Sequence, residues 1–196
     1  MHGQQFRGVP MTHAAAAPAP AILRDAFTAL PPALKREMRS NHAGELGAVW
    51  IYRGVLAVTR DPALRAFAED HGRTEQAHLA FFEAGLPTEG RTRLAPLWRL
   101  MGFTLGALPA LLGPSAVYQT IAAVEAFVDR HYGDQLDALA GAVRFEALAG
   151  VLAAFRADEC AHRDEAEANT SGAASRLWRT VVFQGSALGA ALAKRC

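Results

Sequence analysis

Cysteine is nearly absent from the 196 residues, with Cys160 and Cys196 the only two. That excludes a disulfide framework, and neither cysteine has a second nearby to form a thiolate metal site. A reducing, cytoplasmic compartment is therefore expected. Excess charge is lacking too: the formal net charge is +1, so no strong electrostatic pull toward nucleic acid is expected. Aromatic residues make up only 8% against 51% hydrophobic, so alanine and leucine supply most of the apolar surface, and both favour helix. No stretch alternates with strand period for long. The apolar run Ala14 to Pro20 is low in complexity and broken by proline, too short for a secretory segment. Residues 1–30 are therefore expected to be a disordered tail, and residues 31–196 one folded domain.

What is present is helical punctuation. Pro31-Pro32 opens the folded part, and a helix is expected from Leu34 to Thr59. Asp61-Pro62 reads as a cap followed by a first-turn proline. The next helix runs from Pro62 to Ala84 and is stopped by Gly85 and Pro87. Further helices are expected from Ser115 to Ala140 and from Val143 to Asn169. Ser171-Gly172 breaks the chain before a last helix, Ser175 to Lys194. From Leu100 to Val124, 25 positions carry no charged residue, which is long enough to span a bilayer. Gly102, Gly106, Pro109, Gly113 and Pro114 interrupt that run. It is expected to form an apolar helix over Leu94 to Leu112, with a break at Gly113-Pro114, and to lie against a membrane surface or a partner. A buried, glycine-bent core segment is the alternative.

Chemistry enters with two pairs. Glu75 and His78 stand three apart, as do Glu159 and His162, and on a helix such positions share one side. Each pair is preceded by one glutamate on the previous long helix: Glu45 lies 30 residues before Glu75, and Glu125 lies 34 before Glu159. The order Glu, Glu-x-x-His, Glu, Glu-x-x-His describes a helical hairpin used twice. A Glu from each of two helices and a Glu-x-x-His from each of the other two is the donor set of di-iron and di-manganese bundles. The fold expected is all-α: a ferritin-like four-helix bundle with an apolar accessory helix and a C-terminal helix. Glu45 and Glu125 fall on otherwise apolar faces, where a bare carboxylate costs several kcal/mol or takes up a proton. Two divalent cations would cancel four carboxylate charges, and oxygen ligands with two imidazoles suit iron or manganese. Asp158 is placed to accept a hydrogen bond from an imidazole across the bundle. His42, His71 and His131 lack a glutamate three residues before them and are not taken as ligands. Glu37 and Glu83 read as ordinary polar-face residues.

Beyond these six positions the chain resembles a known family. Asn41-His42-Ala43-Gly44-Glu45-Leu46-Gly47-Ala48 is similar to its Asp-His-Ala-Gly-Glu-x-Gly-Ala signature. Pro96 to Trp98, Met101 to Ala107 and Ala110 to Gly113 resemble its apolar insert. Ala123 to Glu125, His131-Tyr132 and Gln135 resemble its third helix; Phe155-Arg156, Asp158-Glu159 and His162 its fourth. The family is that of the demethoxyubiquinone hydroxylases of ubiquinone biosynthesis. Asn41 departs from the usual aspartate and Ala126 from a second glutamate, but no ligand position is lost. The resemblance implies an O2-dependent monooxygenase that hydroxylates the ring of a polyprenyl benzoquinol. Two Fe ions per chain are implied, one on Glu45, Glu75 and His78 and the other on Glu125, Glu159 and His162, with Glu75 and Glu159 as bridges. It implies NADH as electron donor, with no nucleotide-phosphate loop in the sequence. It also implies peripheral attachment to the cytoplasmic side of the cell membrane, through the apolar helix edged by Arg91, Arg93 and Arg99. A homo-oligomer or a complex with other quinone-biosynthesis proteins stays open. Two rivals stand beside it: a di-iron bundle for iron or peroxide handling, and a metal-free quinone-binding accessory protein.

Overall fold

A computed structural model describes residues 18–171 and 175–196. Among them there are seven α-helices and no strand. The four long ones are α2 (Pro32–Val58), α3 (Pro62–Gly85), α5 (Pro114–Leu139) and α6 (Glu146–Asn169). They pair as two hairpins, α2 with α3 and α5 with α6, and form the bundle expected from the pattern. Asp61 caps α3 as expected, its Oδ1 accepting from the Leu64 amide at 2.8 Å. Short 3-10 turns lie at Thr88–Gly90, after α3, and at Val143–Phe145, between α5 and α6.

The N-terminal tail differs from expectation. Residues 1–17 lie outside the described residues, but from Pro18 onward the chain is placed. A short helix, α1 (Ala21–Phe27), buries Leu23, Phe27 and the following Leu30 among Phe81, Phe82 and Leu86. The spacing of these side chains is helical, and their burial outweighs the alanine- and proline-rich composition just before them. Of the expected break at Ser171-Gly172, Gly172 lies outside the described residues.

The apolar segment forms one continuous helix, α4 (Ala95–Leu112), ended at Gly113. Gly113 has φ +108°, a conformation that L side chains rarely adopt, so glycine turns the chain here into α5. Gly102 and Gly106 are not breaks. They are where α4 meets the backbone of α2: a Cβ on Gly102 would strike the Gly47 carbonyl, and one on Gly106 the Ile51 carbonyl. Small residues let the two backbones touch, as in helix pairs packed within lipid. Trp98 and Pro109 are buried as well, and the opposite face of α4 is open. Leu100, Met101, Leu108, Leu111 and Leu112 are exposed, with Leu111 69% accessible. The last helix, α7 (Arg176–Ala193), exposes Leu177, Val181 and Leu188 in the same way.

Candidate metal centre

Glu45 on α2, Glu75 and His78 on α3, Glu125 on α5, and Glu159 and His162 on α6 are all buried. Each sits on the inward stripe of its helix because its neighbours along that stripe are core residues: Met38 and Val49, Leu79 and Phe82, Tyr118 and Ile121, Leu152 and Phe155. The structure brings all six together in two overlapping groups. One is Glu45, Glu75, His78 and Glu159; the other is Glu75, Glu125, Glu159 and His162. Within each, one donor atom per residue lies within 4.8 Å of the others. Glu75 and Glu159 belong to both.

The donor atoms suit a cation better than they suit one another. His162 Nδ1 lies 3.0 Å from Glu75 Oε1 and 3.4 Å from Glu159 Oε2. Yet none of these three atoms makes a hydrogen bond with acceptable geometry, and all three are buried. Close, misaligned and unpartnered polar atoms cost free energy unless something between them is bound. An imidazole nitrogen and two carboxylate oxygens are the donor chemistry of a divalent iron or manganese ion.

Several surrounding groups hold the donors. His78 Nε2 lies 3.1 Å from Asp158 Oδ2, the contact anticipated across the bundle. It leaves His78 Nδ1 facing Glu159 Oε1 at 3.1 Å and Glu45 Oε2 at 3.6 Å. On the other side His71, not taken as a ligand, stacks on His162 with ring centroids 4.1 Å apart and reaches Glu165 at 3.0 Å. His42 Nδ1 accepts from the Thr92 amide, and His131 contacts Asn41 Oδ1 at 3.1 Å. Glu37 is half-buried rather than simply solvated, paired with Lys194 at 2.8 Å.

Two tyrosines were given no role by sequence reasoning. Tyr132 donates its hydroxyl to Glu45 Oε1 at 2.5 Å, while the buried Tyr52 hydroxyl has no partner. The signal was available. Tyr52 lies seven residues after Glu45, and Tyr132 seven after Glu125, two helical turns in each case. The repeated hairpin thus extends to Glu-x6-Tyr.

A cavity of about 640 Å³ opens from the carboxylates outward. All four glutamates line its inner end, and Trp98 and Leu108 from α4 with Trp178 and Val182 from α7 line the rest. Leu105, half-buried, belongs to the same lining.

Protons occupy the electrostatic place of cations in the metal-free core. Burial and the nearby Glu159 push Glu75 up to about 8. Burial, with Glu159 and Glu75, also raises Glu125 well above the carboxylate range. Burial opposes charge on His162, but its contacts with Glu159 and Glu75 outweigh that and lift it to about 11. His78 is raised likewise, its contacts with Asp158, Glu159 and Glu45 exceeding the cost of burial. Burial also works against the Glu159 carboxylate, but His162 and His78 more than offset it and hold the group at about 2. Near neutrality Glu75, His78 and His162 therefore each carry a proton that metal binding must expel. Loading at pH 7 should release about three protons per chain, one from each of these groups, measurable with a pH indicator in weak buffer; fewer than about two would contradict this inventory. Glu75 and His162 both bind protons more tightly in the folded state, so their contributions to stability are present at low pH. They are lost as pH rises, through about 8 and about 11 respectively. The metal-free protein should melt lower at pH 9 than at pH 6, and the metal-loaded protein should not.

Residues 32–193 match the family model described as "Ubiquinone biosynthesis protein COQ7". A "3-demethoxyubiquinol 3-hydroxylase" of Rhodospirillum rubrum is 38% identical over 156 residues, 78% of this chain and 68% of that protein. A protein of Dictyostelium discoideum named "NADPH-dependent 3-demethoxyubiquinone 3-hydroxylase, mitochondrial" is 38% identical over 137 residues, 66% of this chain and 61% of its own length. The human protein of the same name is 35% identical over 136 residues, 67% of this chain and 63% of its own length. The chain thus spans a little under or over two thirds of these relatives. With nearly the whole folded part matched and the paired Glu and Glu-x-x-His positions converging in one bundle, the chain belongs to the COQ7 family of ubiquinone biosynthesis proteins.

Proposed function

We infer that this protein is a monooxygenase that hydroxylates the ring of a demethoxyubiquinol-type polyprenyl benzoquinol with O2. The observation that carries this is the cavity: apolar along its length, it ends on four buried carboxylates and begins between two helices with exposed leucines. A polar ring on an isoprenoid tail fits such a passage, ring inward and tail outward. One oxygen atom enters the ring and the other leaves as water, with NAD(P)H and one proton supplying the two electrons and two protons.

Glu45, Glu75 and His78 would hold one iron, and Glu125, Glu159 and His162 the other, with Glu75 and Glu159 shared. The iron pair, when bound, supplies O2 activation beside the ring. The chain's own residues set the conditions. Asp158 holds the proton on His78 Nε2, which leaves Nδ1 as the donor nitrogen. Tyr132 fixes Glu45 through its hydroxyl. Trp98 and Val182 keep water from the inner cavity, which strengthens every charge interaction there. Anaerobic iron loading, followed by O2 and a short-tailed demethoxyquinol, should yield the hydroxylated quinol. Oxygen consumption without that product would move the chain to iron or peroxide handling, and no iron uptake would leave a metal-free quinone-binding protein.

The substrate's tail resides in a bilayer, so access requires docking. The exposed faces of α4 and α7 flank the cavity and serve as the peripheral attachment surface, on the cytoplasmic side of the cell membrane, with Arg91, Arg93 and Arg99 at headgroup level. The protein should sediment with liposomes. Placing aspartate at Leu108 and Leu111 on α4 together with Leu188 on α7 should reduce binding by at least about tenfold, since each insertion of charge into the apolar phase costs on the order of 2 kcal/mol. Undiminished sedimentation would remove the docking surface.

A further inference from the structure

All six candidate ligands are buried, so an ion reaches them only through the wall of the bundle. The apolar cavity is a poor route. It is lined chiefly by hydrocarbon side chains and opens beside exposed leucines, where a hydrated dication gives up water and gains nothing in return. The junction of α3 and α6 offers another. On α6, Glu159, His162 and Glu165 follow at intervals of three; on α3, His71, Glu75 and His78 follow at intervals of four and three. Each set therefore shares one face of its helix. Across the junction they pair as rungs: Glu165 with His71 at 3.0 Å, Glu75 with His162 at 3.0 Å, and Glu159 with His78 at 3.1 Å.

The first rung touches water. The Glu165 side chain is 54% exposed, whereas that of His71 is 4% exposed. Among the described residues no lysine or arginine lies within ion-pair distance of Glu165, while Asp70, Asp164 and Glu167 each have an arginine. Inside this carboxylate, His71 Nδ1 is buried without a hydrogen-bond partner, and so is His162 Nδ1. The two rings are stacked with centroids 4.1 Å apart. At the other end of the ladder Asp158 is also exposed, but His78 has both ring nitrogens engaged, by Asp158 and Glu159. The spare donor is at the His71 end.

We propose that Glu165 and His71 form the entry site for ferrous ion, taking it from water and passing it to His162 and Glu75. A carboxylate oxygen beside an imidazole nitrogen is the donor chemistry of the core itself, so each rung replaces ligands lost at the one before. The uncompensated charge of Glu165 concentrates cations at the mouth. Only metal–ligand bonds change, and the ion stays ferrous throughout. The inference rests on the two-ion part of the proposed function and is independent of the quinol.

Anaerobic stopped-flow mixing of the metal-free protein with cobalt(II), whose visible bands report ligation in the core, separates rate from affinity. Glu165→Gln should slow filling about tenfold at low ionic strength, within the range of electrostatic effects on association, and added salt should narrow the difference. Kd and final stoichiometry should match the parent, so removal by excess chelator should slow by the same factor. Glu165→Asp should recover most of the rate. His71→Phe, which keeps a ring against His162 but has no nitrogen, should slow filling at every ionic strength. A short-tailed quinol added beforehand should leave the rate unchanged. Parent-like filling rates in both Glu165→Gln and His71→Phe overturn the proposal. So does a weakened Kd with an unchanged filling rate, which would make the two residues supports of the His162 ring. Filling blocked by quinol, with Glu165→Gln indifferent, also overturns it and places entry in the apolar cavity. Complete, Glu165-dependent filling that yields no product with O2 and quinol would instead sink the hydroxylase reading and leave the entry site standing. A parent that binds no cobalt would remove the metal centre and the entry site together.

Discussion

Replacing Glu159 with alanine should empty both metal positions at once. Glu159 is common to the two donor groups, 3.1 Å from His78 Nδ1 on one side and 3.4 Å from His162 Nδ1 on the other. Iron per chain, about two in the parent for a paired carboxylate site, should fall close to zero, and hydroxylation with it. Glu45→Ala and Glu125→Ala remove a donor from one group only, so each should keep the more intact position partly filled. The contrast between shared and unshared carboxylates is the informative result, read by elemental analysis. Glu75→Gln separates metal binding from folding. It should also lose iron, yet raise the melting temperature of the metal-free protein at pH 9. The parent Glu75 must ionise above about 8 within a buried acidic cluster, and glutamine cannot. Equal iron content in all these variants would refute a shared-ligand site.

Gly106→Leu should dislodge α4. The position faces the Ile51 carbonyl of α2 with no room for a Cβ, and backbone cannot yield as a flexible side chain would. Forcing side-chain atoms into such a contact costs about 3 kcal/mol, which corresponds to about 6–12 °C in melting temperature for a chain of this size. Because α4 forms one wall of the apolar cavity, the shift should also raise KM for quinol well beyond any change in iron content. Gly113→Ala acts differently. It meets no neighbour, but φ there is +108°, so its cost is backbone strain without loss of the α2 contact. An unchanged melting temperature for Gly106→Leu would mean that α4 does not rest on α2 through this glycine.

Much of the site was legible because the chemistry is periodic. Glu75 with His78 and Glu159 with His162 declare their helix faces by spacing alone, and Glu45 and Glu125 stand out as carboxylates on apolar stripes. Asp158 was legible for the same reason, one residue before a candidate ligand and directed across the bundle. What escaped depends on contacts between helices. Gly102 and Gly106 look like helix breakers in a linear reading, and only the backbone of α2 reveals that they are contact points. Leu23 and Phe27 were hidden by the composition of the residues before them. Tyr52 and Tyr132 repeat the period of the glutamates, but each meets the other hairpin's carboxylates: Tyr132 bonds to Glu45, while Tyr52 is raised by burial and by Glu125.

The most direct measurement is a crystal structure of the iron-loaded protein with anomalous data collected at the iron edge. A bundle built to neutralise buried acids with cations predicts two peaks, about 3.5–4 Å apart as in paired-metal sites, flanked by His78 and His162 with Glu75 and Glu159 between them. Iron found only on surface carboxylates, with the six inward side chains bonded solely to one another, would contradict it.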